Sequence, residues 1–285
     1  LNDRQVKFEK YLTDAFSEKA VEFINESSQP FMMYLAYNAV HTPMQATDED
    51  MAKFEGHPRQ KLAAMTYALD RGVGTVIRGL KDSGKFDNTL IFFLSDNGGA
   101  TTNQSSNYPL KGFKGNKFEG GHRVPYFVVW KNGIPAGKPY DGLVSSLDIF
   151  ATAIDAASIS KTRNRLDGVS LLPYLKGKKG EPHKVLYWRK MDTRAIRSGD
   201  YKLIITHGVD SVLYNIRRDP EEMNNLINKE PDLYRKLAKK LAKWEKNECI
   251  EPSWLEEGWR KITNRYHQQL MHNEIKTAQD LYKRK

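Results

Sequence analysis

Three short segments of this 285-residue sequence bring together residue types that do chemistry. Ser95-Asp96-Asn97-Gly98-Gly99 sets a carboxylate beside an amide carbonyl, ahead of two glycines that permit a sharp turn. Oxygen donors of this kind suit a hard divalent cation, Ca²⁺ or Mg²⁺. The same residues also read as an Asx turn closing a strand. Asn38-Ala39-Val40-His41-Thr42-Pro43 carries a histidine, the side chain whose charge changes near neutral pH. His41 is thus a candidate general acid, and equally an ordinary packed or solvated histidine. Lys114 lies between Gly112 and Gly115, where an ammonium can hold an anion against backbone. In so lysine-rich a chain it also reads as a solvated loop residue. Glu119-Gly120-Gly121 with Arg123 reads as a buried, charge-assisted pair bracing a tight turn, a structural role rather than a catalytic one.

These segments sit at the ends of the elements that must position them. Thr13-Asp14 precedes Phe16, Ala20, Phe23 and Ile24 at helical spacing, which predicts a capped amphipathic helix. Phe31–Tyr37, Thr89–Leu94 and Tyr126–Trp130 are continuous apolar runs, the pattern of strands buried on both faces. Between the first two, Leu62, Met65, Leu69, Val73, Val76, Ile77 and Leu80 form a helical stripe, and Leu147 to Ala157 predicts a further helix. This alternation predicts an α/β sandwich with a largely parallel sheet. The first two chemical segments follow the first two strands, where open α/β sheets place their ligands. Beyond the linker-like Gly177–Lys184, short alternating runs at Val185–Trp188, Ala195–Arg197, Tyr201–Ile205 and Val212–Tyr214 predict a small antiparallel sheet, closed by a helix over Pro231–Lys246. The expected organisation is an α/β portion over 1–178, a small α+β subdomain over 183–250, and a charged helical tail over 251–285.

Composition narrows the classes of function. The net charge is +10 and the mean hydropathy −0.65. No apolar stretch approaches the roughly 20 residues of a membrane-spanning helix. The single cysteine, Cys249, excludes an internal disulfide framework and any multi-cysteine metal site. The chain opens Leu-Asn-Asp-Arg with no charged-then-apolar leader, so no targeting signal is visible and a processed or truncated start is expected. The positive charge predicts attraction to something anionic, although no nucleic-acid motif is present.

Taken together and in this order, the segments resemble the formylglycine-dependent (type I) sulfatases, the family of the arylsulfatases and glycosaminoglycan sulfatases. The resemblance runs through Tyr34–Pro43, Asp87–Gly98 and Lys114–Pro125, and continues in Ala195–Ile204 and Leu213–Glu222. It implies an alkaline-phosphatase-like α/β sandwich carrying a small antiparallel C-terminal subdomain. It also implies hydrolysis of sulfate monoesters, of a sulfated carbohydrate in particular, in an exported or lysosome-like setting. Asp96 and Asn97 would be two ligands of one divalent cation, Ca²⁺ in preference to Mg²⁺. Lys114 would bind a sulfate oxygen, and His41 would contact the ester and protonate the departing alcohol.

One departure is large. The family's nucleophile is a formylglycine made within Cys/Ser-x-Pro/Ala-x-Arg, and its other metal carboxylates are an early Asp-Asp pair. Cys249 lies in Asn-Glu-Cys-Ile-Glu-Pro without the arginine, and Ser28-Gln29-Pro30 runs on to Phe31-Met32. The resemblance is therefore to the C-terminal portion of a sulfatase, with nucleophile and Asp pair expected from an N-terminal portion of the same enzyme. Two other readings stand beside this one. One is a phosphoesterase of the wider superfamily. The other is a non-catalytic basic module that docks polyanions, supported by the charge and by the lysine-rich run Leu233–Lys246.

Overall fold

The computed structural model describes residues 3–159, 165–249 and 256–283. It divides into two compact units, Leu1–Thr89 with Val129–Gly133, and Leu90–Val128 with Ile134–Lys285.

The first unit is built on α1 (Leu12–Glu26), α2 (Asp48–Ala52) and α3 (Gln60–Asp82). α1 buries Ala15, Ala20 and Ile24, and α3 buries Ala64, Met65, Ala68 and Leu80, the small and aliphatic stripes that pack two helices together. Arg71 ties all three helices. Its guanidinium donates to Asp14 Oδ2 at 3.0 Å and to Asp50 Oδ1 at 2.6 Å, and Asp50 is buried. Thr13 and Asp14 do not cap α1 as expected. The helix begins at Leu12, so Thr13 is buried inside the first turn and the Asp14 carboxylate is spent on Arg71. Phe31–Tyr37 forms no strand. Its residues alternate half-buried and exposed, with Met32 67% and Tyr34 89% exposed. An apolar run becomes a strand only where another strand meets its backbone groups.

The second unit opens with β1 (Ile91–Leu94), α4 (Glu119–His122) and β2 (Tyr126–Val129); β1 and β2 form a two-stranded sheet. Next come α5 (Asp148–Ala156) and α6 (Leu172–Leu175), then the meander β3 (Val185–Lys190), β4 (Thr193–Ser198), β5 (Tyr201–Thr206) and β6 (Asp210–Asn215). The four strands pair antiparallel in chain order, each slightly longer than its apolar run. Two helices follow, α7 (Pro231–Glu248) and α8 (Glu257–Met271). The register fixes which side chains share a face. Ile196, Leu203 and Leu213 lie in one cross-strand row and pack against Leu237 and Leu241 of α7. Ala195, Ile204 and Val212 lie in the adjacent row, on the opposite face, as the period of two requires. They pack against Phe113, Phe118, Leu270, Met271 and Ile275. The second face thus buries two things at once, the C-terminal helix and the loop after Lys111. The expected tail over 251–285 is helical over α8 and packs on the sheet, while 251–255 lie outside the described residues.

Candidate functional site

Asp96 and Asn97 follow β1 directly, with Asp96 exposed and Asn97 half-buried. Asn97 Nδ2 donates to Asp96 Oδ1 at 2.5 Å, and Ser95 Oγ donates to Asn97 O at 2.8 Å. The turn they occupy is pinned from behind. Ser95 N donates to Pro125 O at 3.4 Å and Gly98 N donates to Gly121 O at 3.1 Å. A Cβ on Gly98 would stand 1.8 Å from Gly120 O, so only glycine admits this approach of two backbones.

Lys114 reaches the same turn through the main chain, its N–H donating to Gly99 O at 3.0 Å. Asn107 completes the strap. Its Oδ1 accepts from Gly99 N at 2.7 Å, and its Nδ2 donates to Gly112 O at 3.1 Å and Gly99 O at 3.2 Å. The structure therefore brings three of the four expected site residues, Asp96, Asn97 and Lys114, onto one cross-linked pair of loops. His41 belongs to the first unit. It is exposed, its N–H donates to Asn38 O at 2.9 Å, and its Nδ1 donates to Thr42 O at 2.7 Å.

Beneath the loops lies a buried charge network that sequence reasoning resolved only in part. Glu119 is buried as expected, but its main partner is Lys202 of β5, whose Nζ donates to Glu119 Oε1 at 2.8 Å; Arg123 stands at 3.6 Å. Lys202 also pairs with Glu222 Oε1 at 3.0 Å, and Glu222 Oε2 accepts from Glu119 N at 2.6 Å. Lys202, Glu119 and Glu222 are each at most 1% exposed. Burial pushes both carboxyls up. In Glu119 burial is the largest single influence, but Lys202, His122 and Arg197 together outweigh it and the net shift is down, whereas in Glu222 burial wins and the shift is up. Glu222 lies in Asp219-Pro220-Glu221-Glu222, a segment noted in the sequence without any role for this side chain. Lys111, fully buried, donates to Glu222 O at 3.0 Å and lies over the Phe118 ring; burial brings its ammonium down to about 8. His122 stacks on Trp188 with ring centroids 4.5 Å apart, and burial holds it neutral, at about 3.

The donor set at Asp96-Asn97, one carboxylate and one amide oxygen on a pinned turn, fits a hard cation as two of its ligands. Among the described residues no cluster of three or more His, Cys, Asp or Glu side chains could hold a metal.

Residues 1–159 match the Sulfatase family model. The chain belongs to the sulfatase family. Residues 114–247 match the model described as N-sulphoglucosamine sulphohydrolase, C-terminal. The sulfatase YdeN of Escherichia coli is 40% identical over 197 residues, covering 66% of this chain and 35% of that protein. N-acetylgalactosamine-6-sulfatase of Canis lupus familiaris is 32% identical over 202 residues, covering 68% of this chain and 38% of the relative. The crystal structure of Ps i-CgsB in complex with k-i-k-neocarrahexaose superposes with a TM-score of 0.83 at 36% identity, over 93% of this chain and 61% of that one. The chain thus spans a little over a third of these curated relatives and about three fifths of that solved structure. The fold is the alkaline-phosphatase-like fold of its sulfatase neighbours, with a four-stranded antiparallel sheet in its C-terminal part.

Proposed function

We propose that this chain is the C-terminal portion of a sulfatase that hydrolyses sulfate monoesters of a carbohydrate. The observation that supports the reading best is the strap that joins Lys114 to the Asp96-Asn97 turn through Gly99. Asp96 and Asn97 would supply two oxygen ligands to Ca²⁺, and the chemistry the ion would bring there is Lewis-acid polarisation of a sulfate oxygen. Lys114 holds another sulfate oxygen and offsets the charge that builds during S–O cleavage. His41 gives a ring proton to the departing alcohol as general acid. The formylglycine nucleophile and the remaining metal carboxylates come from residues beyond these 285, since no Cys/Ser-x-Pro/Ala-x-Arg segment occurs within them. A sulfated saccharide as substrate follows the solved relative bound to neocarrahexaose. An exported or lysosome-like compartment is part of the same reading; among the described residues no helix is long and apolar enough to cross a membrane.

The test is steady-state hydrolysis of matched aryl sulfate and aryl phosphate esters by the enzyme carrying both portions, with and without Ca²⁺. Turnover of sulfate over phosphate, lost on chelation and in Lys114→Ala, is expected. Preference for phosphate overturns the sulfatase reading in favour of a phosphoesterase. Binding of polyanions without turnover, unaffected by Asp96→Ala and Lys114→Ala, overturns it in favour of a docking module.

A further inference from the structure

Lys117 and Lys190 come from distant parts of the sequence and meet beside Lys114. Lys190 ends β3, and its ammonium lies over the backbone of the 111–118 loop. It lies close over Gly115, where φ is +99° and a Cβ would stand 3.1 Å from Lys190 Nζ. Lys117 is half-buried two residues further on, and Lys190 is open to solvent.

Elsewhere in this unit most buried or half-buried cations have a carboxylate partner, Lys202 with Glu119 and Glu222, Arg194 with Glu245, Lys276 with Glu221, and the buried Lys111 is held by neutral oxygens, Glu222 O and Asn273 Oδ1. Among the described residues, neither Lys117 nor Lys190 takes part in an ion pair. Burial and the neighbouring Lys190 and Lys202 ammoniums bring Lys117 down to about 8, and burial with Lys114 lowers Lys190. The helix behind them adds no counter-charge. His267 of α8 is fully buried and held neutral, at about 4, chiefly by burial, and its Nδ1 donates to Thr263 O at 2.8 Å. Its Nε2 is buried with no hydrogen-bond partner. Gathering like charges at a half-buried site costs free energy unless an anion arrives to balance them, the pattern of a binding site rather than of a structural ion pair.

We propose that Lys117 and Lys190 form an anion subsite next to Lys114 that receives a second acidic group of the substrate, a sulfate or carboxylate on the same or the adjoining sugar. The inference rests on the sulfatase reading, in which Lys114 holds the sulfate that is cleaved. It adds a specificity determinant contributed by the C-terminal sheet: the preferred substrate carries at least two anionic groups about one sugar apart.

The test is binding, so it is independent of turnover. The enzyme carrying both portions, its nucleophile precursor left unmodified so that no ester is turned over, is titrated calorimetrically, at fixed ionic strength, with a disulfated disaccharide, its monosulfated counterpart and a monosulfated disaccharide bearing a uronate. The chain is expected to bind a two-anion ligand about tenfold more tightly than the one-anion ligand, the scale of one or two charge-assisted hydrogen bonds. Lys190→Met removes that preference, and Lys190→Arg keeps it. Lys239→Met, on the exposed face of α7, leaves it unchanged. Preference for the disulfated or for the uronate ligand identifies the group received, and either supports the subsite. Equal affinity for all three ligands overturns it, as does a preference that survives Lys190→Met or that Lys239→Met abolishes equally. A two-anion preference in a chain whose complete enzyme turns over no sulfate ester would sink the activity and leave the subsite standing.

Discussion

Gly98 carries more of the site than its size suggests. It has no side chain to contribute, yet it lets the Asp96-Asn97 turn lie directly against the backbone of Gly120 and Gly121. Gly98→Ala places a methyl 1.8 Å from a carbonyl oxygen that belongs to the main chain and cannot rotate away. The expected result is overpacking that costs about 1–3 kcal/mol in urea unfolding, together with loss of Ca²⁺-dependent turnover in the complete enzyme. Full activity in this variant would separate the turn from the metal site. His267 makes a second prediction at this scale. Its imidazole is held at about 4, chiefly by burial, against an ordinary value near 6.5. A base depressed in the folded state stays neutral there while the unfolded chain takes up the proton. Its contribution to stability is therefore present above pH 6.5 and is lost as pH falls toward 4. The difference between wild type and His267→Gln in unfolding free energy should change by about 1.4 kcal/mol per pH unit across that window. A constant difference from pH 7 to pH 4 would show that His267 titrates normally.

Elements explain why some of this was legible in the sequence and some was not. The placing of the Asp96-Asn97 turn at the end of β1 was readable because it needs only a local pattern, an apolar run followed by an Asx-Gly turn. The four-strand meander was readable for the same reason: each strand carries its own alternation, and neighbours in sequence pair in space. Phe31–Tyr37 shows the limit. Its composition says strand, but strand formation depends on partners, and composition does not supply them. The Glu119 brace was half readable. Burial of the carboxylate followed from its glycine-rich turn, whereas its partner arrives on β5, 83 residues along the chain. Lys190 was not readable at all, since nothing near it in sequence marks it as facing Lys114. The Glu119–Lys202–Glu222 network gives the prediction that belongs to this scale. With Arg197 of β4, which stands 3.4 Å from Glu119 Oε2, it links the sheet ionically to the loops that carry Lys114, and Lys202, Glu119 and Glu222 are all buried. Lys202→Met leaves two buried carboxylates facing each other, so it should cost about 3–5 kcal/mol. Lys202→Met with Glu119→Gln should recover part of that loss in a urea titration. Additive losses in the double variant would mean that the pair is uncoupled.

For the molecule as a whole, the question is what the +10 charge does. Two arrangements of positive charge coexist. The lysines of α7 lie mostly on its solvated face, where ion pairs contribute little and salt screens them. The lysines at positions 114, 117 and 190 are gathered beside the Gly115 turn of the candidate site. A generic polyanion surface and a substrate site respond differently to ionic strength. The first loses affinity in proportion to the charges it neutralises, with no regard to their position. The second keeps its ranking among ligands even as absolute affinity falls. Across roughly 50–200 mM salt, binding of a sulfated oligosaccharide should weaken while the order of disulfated over monosulfated ligands is retained. Neutralising three α7 lysines together, Lys236, Lys239 and Lys240, should flatten the salt dependence without altering that order. If the order disappears with the α7 charges instead, the positive charge acts as a whole-surface field, and the sheet-borne lysines have no special part in recognition.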